Sequence, residues 1–157
     1  FPYGYDNLNV VESFGNNNRV TFPFRRIEKL RDTPISKRNV AGQLTYVYHL
    51  FPNVVIAVLS NHTSVTISEP LTTTSTRFTT YRLTNPGESS AKQNVDRAKR
   101  DAGFLADTGL REDAAAVRAI QAGLTSGANE HFTFGHYEKA IVHFHEVMEA
   151  CLQDLPN

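Results

Sequence analysis

The residue that first raises a chemical question is Asp113, in the stretch LREDAAAVRAIQAGL. Successive residues of a helix turn by about 100°, so Val117, Ile120 and Leu124 form one apolar stripe. Asp113 lies four residues before Val117, in the row expected to face the core, whereas Glu112 falls outside that row. An aspartate there is either a helix cap that accepts backbone N–H bonds or a carboxylate of a metal or catalytic site. The pattern alone leaves both interpretations open.

Four histidines near the C-terminus, His131, His136, His143 and His145, are the next candidates for chemistry. In a helix, His143 and His145 point to opposite sides and cannot hold one ion. His136 and His143 share a side but lie roughly 10 Å apart along the axis. The sequence contains no HExxH motif and no pair of histidines four residues apart. We therefore predict that these histidines are surface or packing residues.

Composition and charge narrow the class of protein. The 157 residues fit one domain, and 16 basic residues balance 16 acidic ones without a basic stripe. Nucleic acid and anionic membranes are therefore poor candidates as partners, and the longest apolar run, 54–59, is too short to span a membrane. The single cysteine, Cys151, fits a reducing cytoplasm. No GxSxG, P-loop or GxGxxG motif indicates acyl transfer, P-loop phosphate binding or dinucleotide binding.

The elements that must position these residues change type along the chain. The first 84 residues are rich in β-branched and aromatic runs separated by turn signals. After a polar connector at 85–92, helix formers predominate. The predicted strands are NLNVVESF, RVTFPFRRI, GQLTYVYHLF, VVIAVLS, SVTISEP and STRFTTYRLT, and the predicted helices cover 95–103, the Asp113 stretch and 136–152. Strands followed by helices predict an α+β fold, with helices packed on one face of an antiparallel sheet.

The final predicted helix carries a wide apolar stripe. Its residues recur at spacings of four, three, four and four positions: Tyr137, Ile141, Phe144, Met148 and Leu152. A stripe of this width suits a helix that lies across a sheet.

Two longer stretches carry a family resemblance when they are taken together and in this order. HLFPNVVIAVLSNHTSVTISEPLTTTSTRFTTYRLT is similar to the central β segment of the α subunits of Rieske-type ring-hydroxylating oxygenases. EDAAAVRAIQAGLTSGANEHFTFGHYEKAIVHFHEVMEACL resembles their C-terminal end, which has an acidic residue, a QxGL and a closing E-x(5)-F-H helix. Here the last motif is formed by Glu138, Phe144 and His145.

The resemblance implies a helix-grip (START/SRPBCC-like) fold, in which an antiparallel sheet wraps a long C-terminal helix. It also implies a mononuclear Fe(II) between sheet and helices, held by two histidines and one aspartate. In the family the aspartate precedes the glutamine by eight or nine positions, which here gives Asp113 or Glu112, counted from Gln121. Asp113 is the aspartate and is also predicted to face inward. We therefore expect Asp113 to be the iron ligand.

The same resemblance implies four substrate-binding residues. Positions six and four before the phenylalanine of FPN face the substrate in the family, and these are Thr45 and Val47. Ala57 lies four residues after the asparagine of FPN and is expected on a pocket-lining strand. Phe104 lies in the loop before the ligand helix and is expected to form a wall of the pocket. Strand alternation places Thr45 and Val47 on one face, which agrees with a shared pocket.

Two parts of the family pattern do not occur in these residues. The iron-binding histidines belong to an H-x(4-5)-H motif upstream of the β region, and the Rieske [2Fe-2S] cluster needs two cysteines and two histidines. We therefore expect residues 1–157 to be the C-terminal part of the catalytic domain of a longer α subunit. Alone they would supply one iron ligand of three and would be inactive.

The expected function is hydroxylation of an aromatic or similarly apolar substrate with O₂, as in aromatic hydrocarbon catabolism. Electrons would come from the Rieske cluster, which is served by a reductase or ferredoxin, and the full-length protein would form a homotrimer. The alternative is a non-enzymatic helix-grip module that holds a small hydrophobic molecule between the sheet and the C-terminal helix. A β subunit of such an oxygenase is a third possibility. The acidic residue before QxGL argues against it, because β subunits supply no iron ligand.

Overall fold

The architecture is a single antiparallel meander with helices after it. The computed structural model describes residues 9–85, 95–96, 98–100, 102–103, 112–128 and 131–154. Six strands hydrogen-bond in the order in which they occur along the chain, each antiparallel to the next. They are β1 (Val10–Phe14), β2 (Asn17–Pro23), β3 (Leu44–Leu50), β4 (Val54–Val58), β5 (His62–Thr72) and β6 (Ser75–Thr84).

The β1–β2 hairpin confirms the turn predicted from GNNN. Only residues 15 and 16 separate the strands, because Asn17 and Asn18 already pair with β1. Gly15 has a φ of 59°, a left-handed conformation that costs glycine little and that two-residue hairpin turns require.

The β2–β3 connection differs from the prediction. The run RVTFPFRRI was expected to continue as a strand, but pairing ends at Pro23, and Arg25–Leu30 forms a 3₁₀ helix. A second 3₁₀ helix covers Ile35–Lys37. The Arg38 guanidinium stabilises this connection by donating to two backbone carbonyls, Thr33 O at 2.8 Å and Arg31 O at 3.0 Å. Local bonds of this kind satisfy the backbone of the connection without a neighbouring strand.

The FPN segment ties three strands together at the β3–β4 turn. The backbone N–H of Phe51 donates to Asn17 Oδ1 of β2 at 2.9 Å. Asn53 donates through Nδ2 to the Ser68 carbonyl of β5 at 3.0 Å, and its own carbonyl accepts from the Ser68 N–H at 2.9 Å. The Phe51–Pro52 peptide bond is cis. The prediction that FPN interrupts a strand that then resumes is confirmed.

The β5–β6 hairpin is longer than the strand beside it. β4 pairs with residues 63–67 of β5, whereas β5 and β6 pair with each other as far as Thr72 and Ser75. Beyond Ser68 the hairpin is therefore a two-stranded ribbon, and it carries exposed Leu71 and Phe78.

Two helices are described in full, α1 (Ala114–Leu124) and α2 (Lys139–Gln153). The described residues between 95 and 103 are also helical, as predicted, and include the buried Ala98 and Ala102. α2 begins three residues later than predicted. The backbone N–H of Gly135 donates to the carboxylate of Glu138, which holds the preceding turn in place. None of the helices within the described ranges is both long enough and apolar enough to cross a membrane.

α2 packs against β1 and β2, and its aromatic contacts reach β3. The buried Asn18 of β2 donates through Nδ2 to the Ala140 carbonyl at 3.3 Å. The Phe144 ring lies 5.0 Å from the His49 ring and 5.9 Å from the Phe51 ring, measured between centroids. The predicted stripe is only partly right, because Ile141 and Leu152 remain 43% and 61% exposed. The centre of α2, near Phe144, makes the contact with the sheet.

The opposite face of β1–β3 is organised around Arg19. Its guanidinium pairs with Glu12 Oε2 at 2.6 Å and lies 5.1 Å from the Tyr46 ring centroid. The Tyr48 hydroxyl and Glu12 raise the pKa of Arg19 far above its ordinary value. Each of the three strands contributes at least one residue to this cluster. The cluster therefore helps to fix the register of the strands.

Candidate metal and substrate-binding residues

Three of the predicted pocket residues lie together on the face of the sheet that α2 contacts. Val47 of β3 and Ala57 of β4 are directly opposed across the strand pair, so their side chains are neighbours. Thr45 lies two residues before Val47 and is buried. His49 lies two residues after Val47, and its ring meets Phe144 of α2. The predicted shared face is therefore present, and the role of these residues in substrate binding stays a prediction.

The row through Val47 continues across four strands. Val20 of β2 is the register partner of Val47 on one side, and Ser64 of β5 is the partner of Ala57 on the other. These side chains are small or β-branched and half-buried. Such a row forms a smooth, largely apolar floor on which a flat molecule can lie. The fourth predicted pocket residue, Phe104, lies outside the described residues.

Asp113 directly precedes α1, and the structure does not support the helix-cap interpretation. It has helical dihedrals (φ −67°, ψ −44°), and its side chain makes no capping hydrogen bond. It is exposed, and the row that was predicted to face the core is exposed as well: Val117 by 60%, Ile120 by 55% and Leu124 by 43%. The expectation that this row faces the core is therefore wrong for this structure, where α2 provides the helical contact to β1 and β2. Asp113 is free to accept a partner from outside α1.

A mononuclear iron site needs three protein donors in one place. Within the part of the chain that the structure describes, no three His, Cys, Asp or Glu side chains come together in that way. The described residues therefore do not gather the three donors of a complete Fe(II) site, and Asp113 is one candidate carboxylate. Its assignment as the iron ligand stays a prediction.

The positions of the four C-terminal histidines agree with the prediction that they are surface or packing residues. His131 and His136 are exposed. His145 packs among phenylalanines, with its ring centroid 5.4 Å from Phe134 and 6.4 Å from Phe132. His143 is half-buried on α2.

His49 is a residue of interest that the sequence did not predict as part of a site. Its Nδ1 is shielded from solvent and makes no hydrogen bond to the residues that the structure describes. The signal that pointed to it was strand alternation, which places His49 on the same face as Thr45 and Val47. Sequence alone does not show that α2 covers this imidazole.

A six-stranded antiparallel sheet with a C-terminal helix across one face defines an α+β helix-grip domain. The family model described as "Ring hydroxylating alpha subunit (catalytic domain)" matches residues 15–154. The chain therefore belongs to the family of ring-hydroxylating α-subunit catalytic domains, as the two sequence stretches predicted. Comparisons with curated proteins and with solved structures give no match.

A substitution at Ala57 tests the pocket. Ala57→Phe in the full-length protein is expected to fill the space above the row and to reduce turnover of bulky substrates about 10-fold or more, since a misplaced substrate loses its reactive alignment. Turnover of single-ring substrates and iron content should change much less. The measurement is turnover of a one-ring and a three-ring substrate by each protein.

Ile56→Phe is the matched control, because Ile56 neighbours Ala57 on β4 and points to the opposite face. If Ala57→Phe turned over large and small substrates equally, Ala57 would face elsewhere.

Proposed function

We propose that this chain is the C-terminal part of the catalytic domain of a Rieske-type non-haem iron oxygenase. In this proposal the full-length protein hydroxylates an aromatic or similarly apolar substrate with O₂. The observation that carries the proposal is the family match over residues 15–154. The largely apolar row on the helix-facing side of the sheet supports the substrate class, because such a surface binds aromatic rings and excludes water.

The role proposed for Asp113 is to supply the carboxylate of a two-histidine, one-carboxylate site. In this proposal two histidines from outside residues 1–157 complete it, since the described residues bring no three possible metal donors together. Its exposed position at the start of α1 leaves both carboxylate oxygens accessible. Fe(II) would supply the O₂ chemistry, and a Rieske [2Fe-2S] cluster elsewhere in the protein would supply electrons.

The residues of this chain would bind and orient the substrate. Val20, Val47 and Ala57 would contact one face of an aromatic ring, and Thr45 would fix one edge of the pocket. Burial against such a surface stabilises the bound state by roughly 25 cal/mol per Å² of apolar area. Orientation of the ring on this floor would then decide which carbon is hydroxylated.

The partners follow from the same proposal. A reductase or ferredoxin would deliver electrons, the full-length protein would be a homotrimer, and the compartment would be the cytoplasm. These assignments are supported by the family match and by the single cysteine.

Metal analysis of the full-length gene product tests the function. We expect one mononuclear iron in addition to two cluster irons per subunit, and hydroxylated product when a reductase is supplied. The coding sequence upstream of Phe1 should contain an H-x(4-5)-H motif and a cluster-binding motif. Protein that contains neither iron type would contradict the proposal.

One observation favours a second candidate, the non-enzymatic ligand-binding module. The described part of the chain gathers no three metal donors, yet it presents the apolar row on the face of the sheet that α2 contacts. Stoichiometric binding of an aromatic molecule by an iron-free, full-length protein would support this candidate over the oxygenase.

A further inference from the structure

Two imidazole nitrogens, one on β3 and one on α2, are buried without a hydrogen-bond partner among the described residues. They are Nδ1 of His49 on β3 and Nδ1 of His143 on α2, and neither bonds to any residue within the described ranges. Such an atom costs roughly 1–3 kcal/mol in lost hydration unless something else bonds to it. His49 and His143 therefore each present a buried nitrogen that can hydrogen-bond to a ligand.

The two histidines flank one contact between sheet and helix. Asn18 is the register partner of His49, and its amide bonds to the Ala140 carbonyl. Ala140 lies three residues before His143, so these residues are neighbours on one face of α2. The Phe144 ring follows His143 and meets His49 edge to face, with ring planes at 81°. His49 therefore borders the Phe144 ring directly, and His143 is the chain neighbour of Phe144 on α2.

The chemistry of this region selects one kind of group. A neutral imidazole offers one N–H donor and one acceptor, which suits a hydroxyl, since a hydroxyl both donates and accepts. The surrounding rings of Phe144 and Phe51 suit the carbon skeleton that carries it. A carboxylate would bring a buried negative charge, which is costly without a paired cation.

We propose that His49 and His143 form a hydroxyl-binding subsite, so that the preferred ligands are phenols or other ring alcohols rather than plain hydrocarbons. The proposal rests on the proposed function and narrows its substrate class. His49, on the strand that also carries Thr45 and Val47, would bind the hydroxyl oxygen of the ligand. His143 would bind the same oxygen from the side of α2. Neither histidine is assigned a part in the oxidation itself.

The test compares p-cresol with p-xylene, which differ by one hydroxyl in place of one methyl group. We expect full-length protein to bind p-cresol about 10-fold more tightly, which corresponds to one net hydrogen bond. In His49→Leu and in His143→Leu this preference should fall to near unity, while the affinity for p-xylene is retained. Calorimetric titration measures the dissociation constants of p-cresol and p-xylene. A third ligand, p-toluate, tests whether a carboxylate binds in place of the hydroxyl.

Two further variants separate binding from structure. His49→Gln keeps a hydrogen-bonding side chain and should retain most of the preference for p-cresol. His145→Leu replaces a histidine two positions from His143 that packs against phenylalanines, and it should leave the preference unchanged. The leucine variants at 49 and 143 should also be at least as thermally stable as the parent without ligand, because each removes a buried unpaired polar atom.

Three results would overturn the subsite: no preference for p-cresol in the parent protein, an unchanged preference in both leucine variants, or tighter binding of p-toluate than of p-cresol. The proposed function fails in a different way. If the full-length protein showed the expected preference but contained no iron and hydroxylated nothing, the proposed subsite would stand and the proposed oxygenase function would be wrong.

Discussion

Replacing Asp113 with alanine in the full-length protein is expected to remove mononuclear iron and hydroxylation, with little change in the thermal midpoint. The loss follows if Asp113 is one of three protein ligands, since a metal site with one ligand deleted binds far more weakly. Stability should persist because Asp113 is exposed and makes no capping bond to α1. If Asp113 capped α1, its replacement by alanine would lower the free energy of unfolding by about 1 kcal/mol. Iron per subunit, product formed and thermal unfolding measure the three quantities.

Glu112→Ala is the matched control for Asp113→Ala. Glu112 is the adjacent acidic residue and is also exposed, so any general effect of lost negative charge would occur in both variants. Full iron occupancy in Asp113→Ala would show that Asp113 is not the ligand. A larger loss in Glu112→Ala would assign the ligand to Glu112, the other residue that the family spacing allows.

The second large effect is expected at Phe144, which joins α2 to the sheet. Phe144→Ala removes the ring that contacts both His49 and Phe51. The cost should be about 2–3 kcal/mol, somewhat below that of a fully buried phenylalanine, because the site is half-buried. The unfolding midpoint of the catalytic domain should fall by about 5–10 °C, as calorimetry of the full-length protein would measure.

Ile141→Ala on the same helix is the comparison for Phe144→Ala. Ile141 is 43% exposed, so its truncation should cost less than about 1 kcal/mol. If the two variants lost equal stability, the centre of α2 would not be the part that holds the helix on the sheet.

Much of the fold could be predicted because its signals are local. Gly15 marks a turn that needs a positive φ, and the alternation through Thr45, Val47 and His49 separates the two faces of β3. The RVTFPFRRI run shows the limit of such signals. Its apolar residues favour a strand, but the chain leaves the sheet at Pro23, and the guanidinium of Arg38, outside this run, stabilises the turns that follow.

The candidate site was harder to predict, because it depends on which elements meet. Periodicity correctly identifies the amphipathic character of α1, but it carries no information on what covers Val117 and Ile120, and both are exposed. The inward position inferred for Asp113 failed for that reason. The buried nitrogen of His49 was beyond sequence analysis as well, since its burial depends on α2, which begins ninety residues further along the chain.

The long β5–β6 hairpin has a consequence for how the domain opens. Up to Ile67, β5 is bonded on both edges, and Asn53 adds two bonds at Ser68. From Glu69 onward, β6 is its only strand partner among the residues that the structure describes. A two-stranded ribbon is marginal in water, so amide hydrogens at the ribbon tip should exchange with solvent through small local openings. Those at 63–67 should exchange only when the sheet itself separates, and Asn53 marks the boundary at which fraying stops.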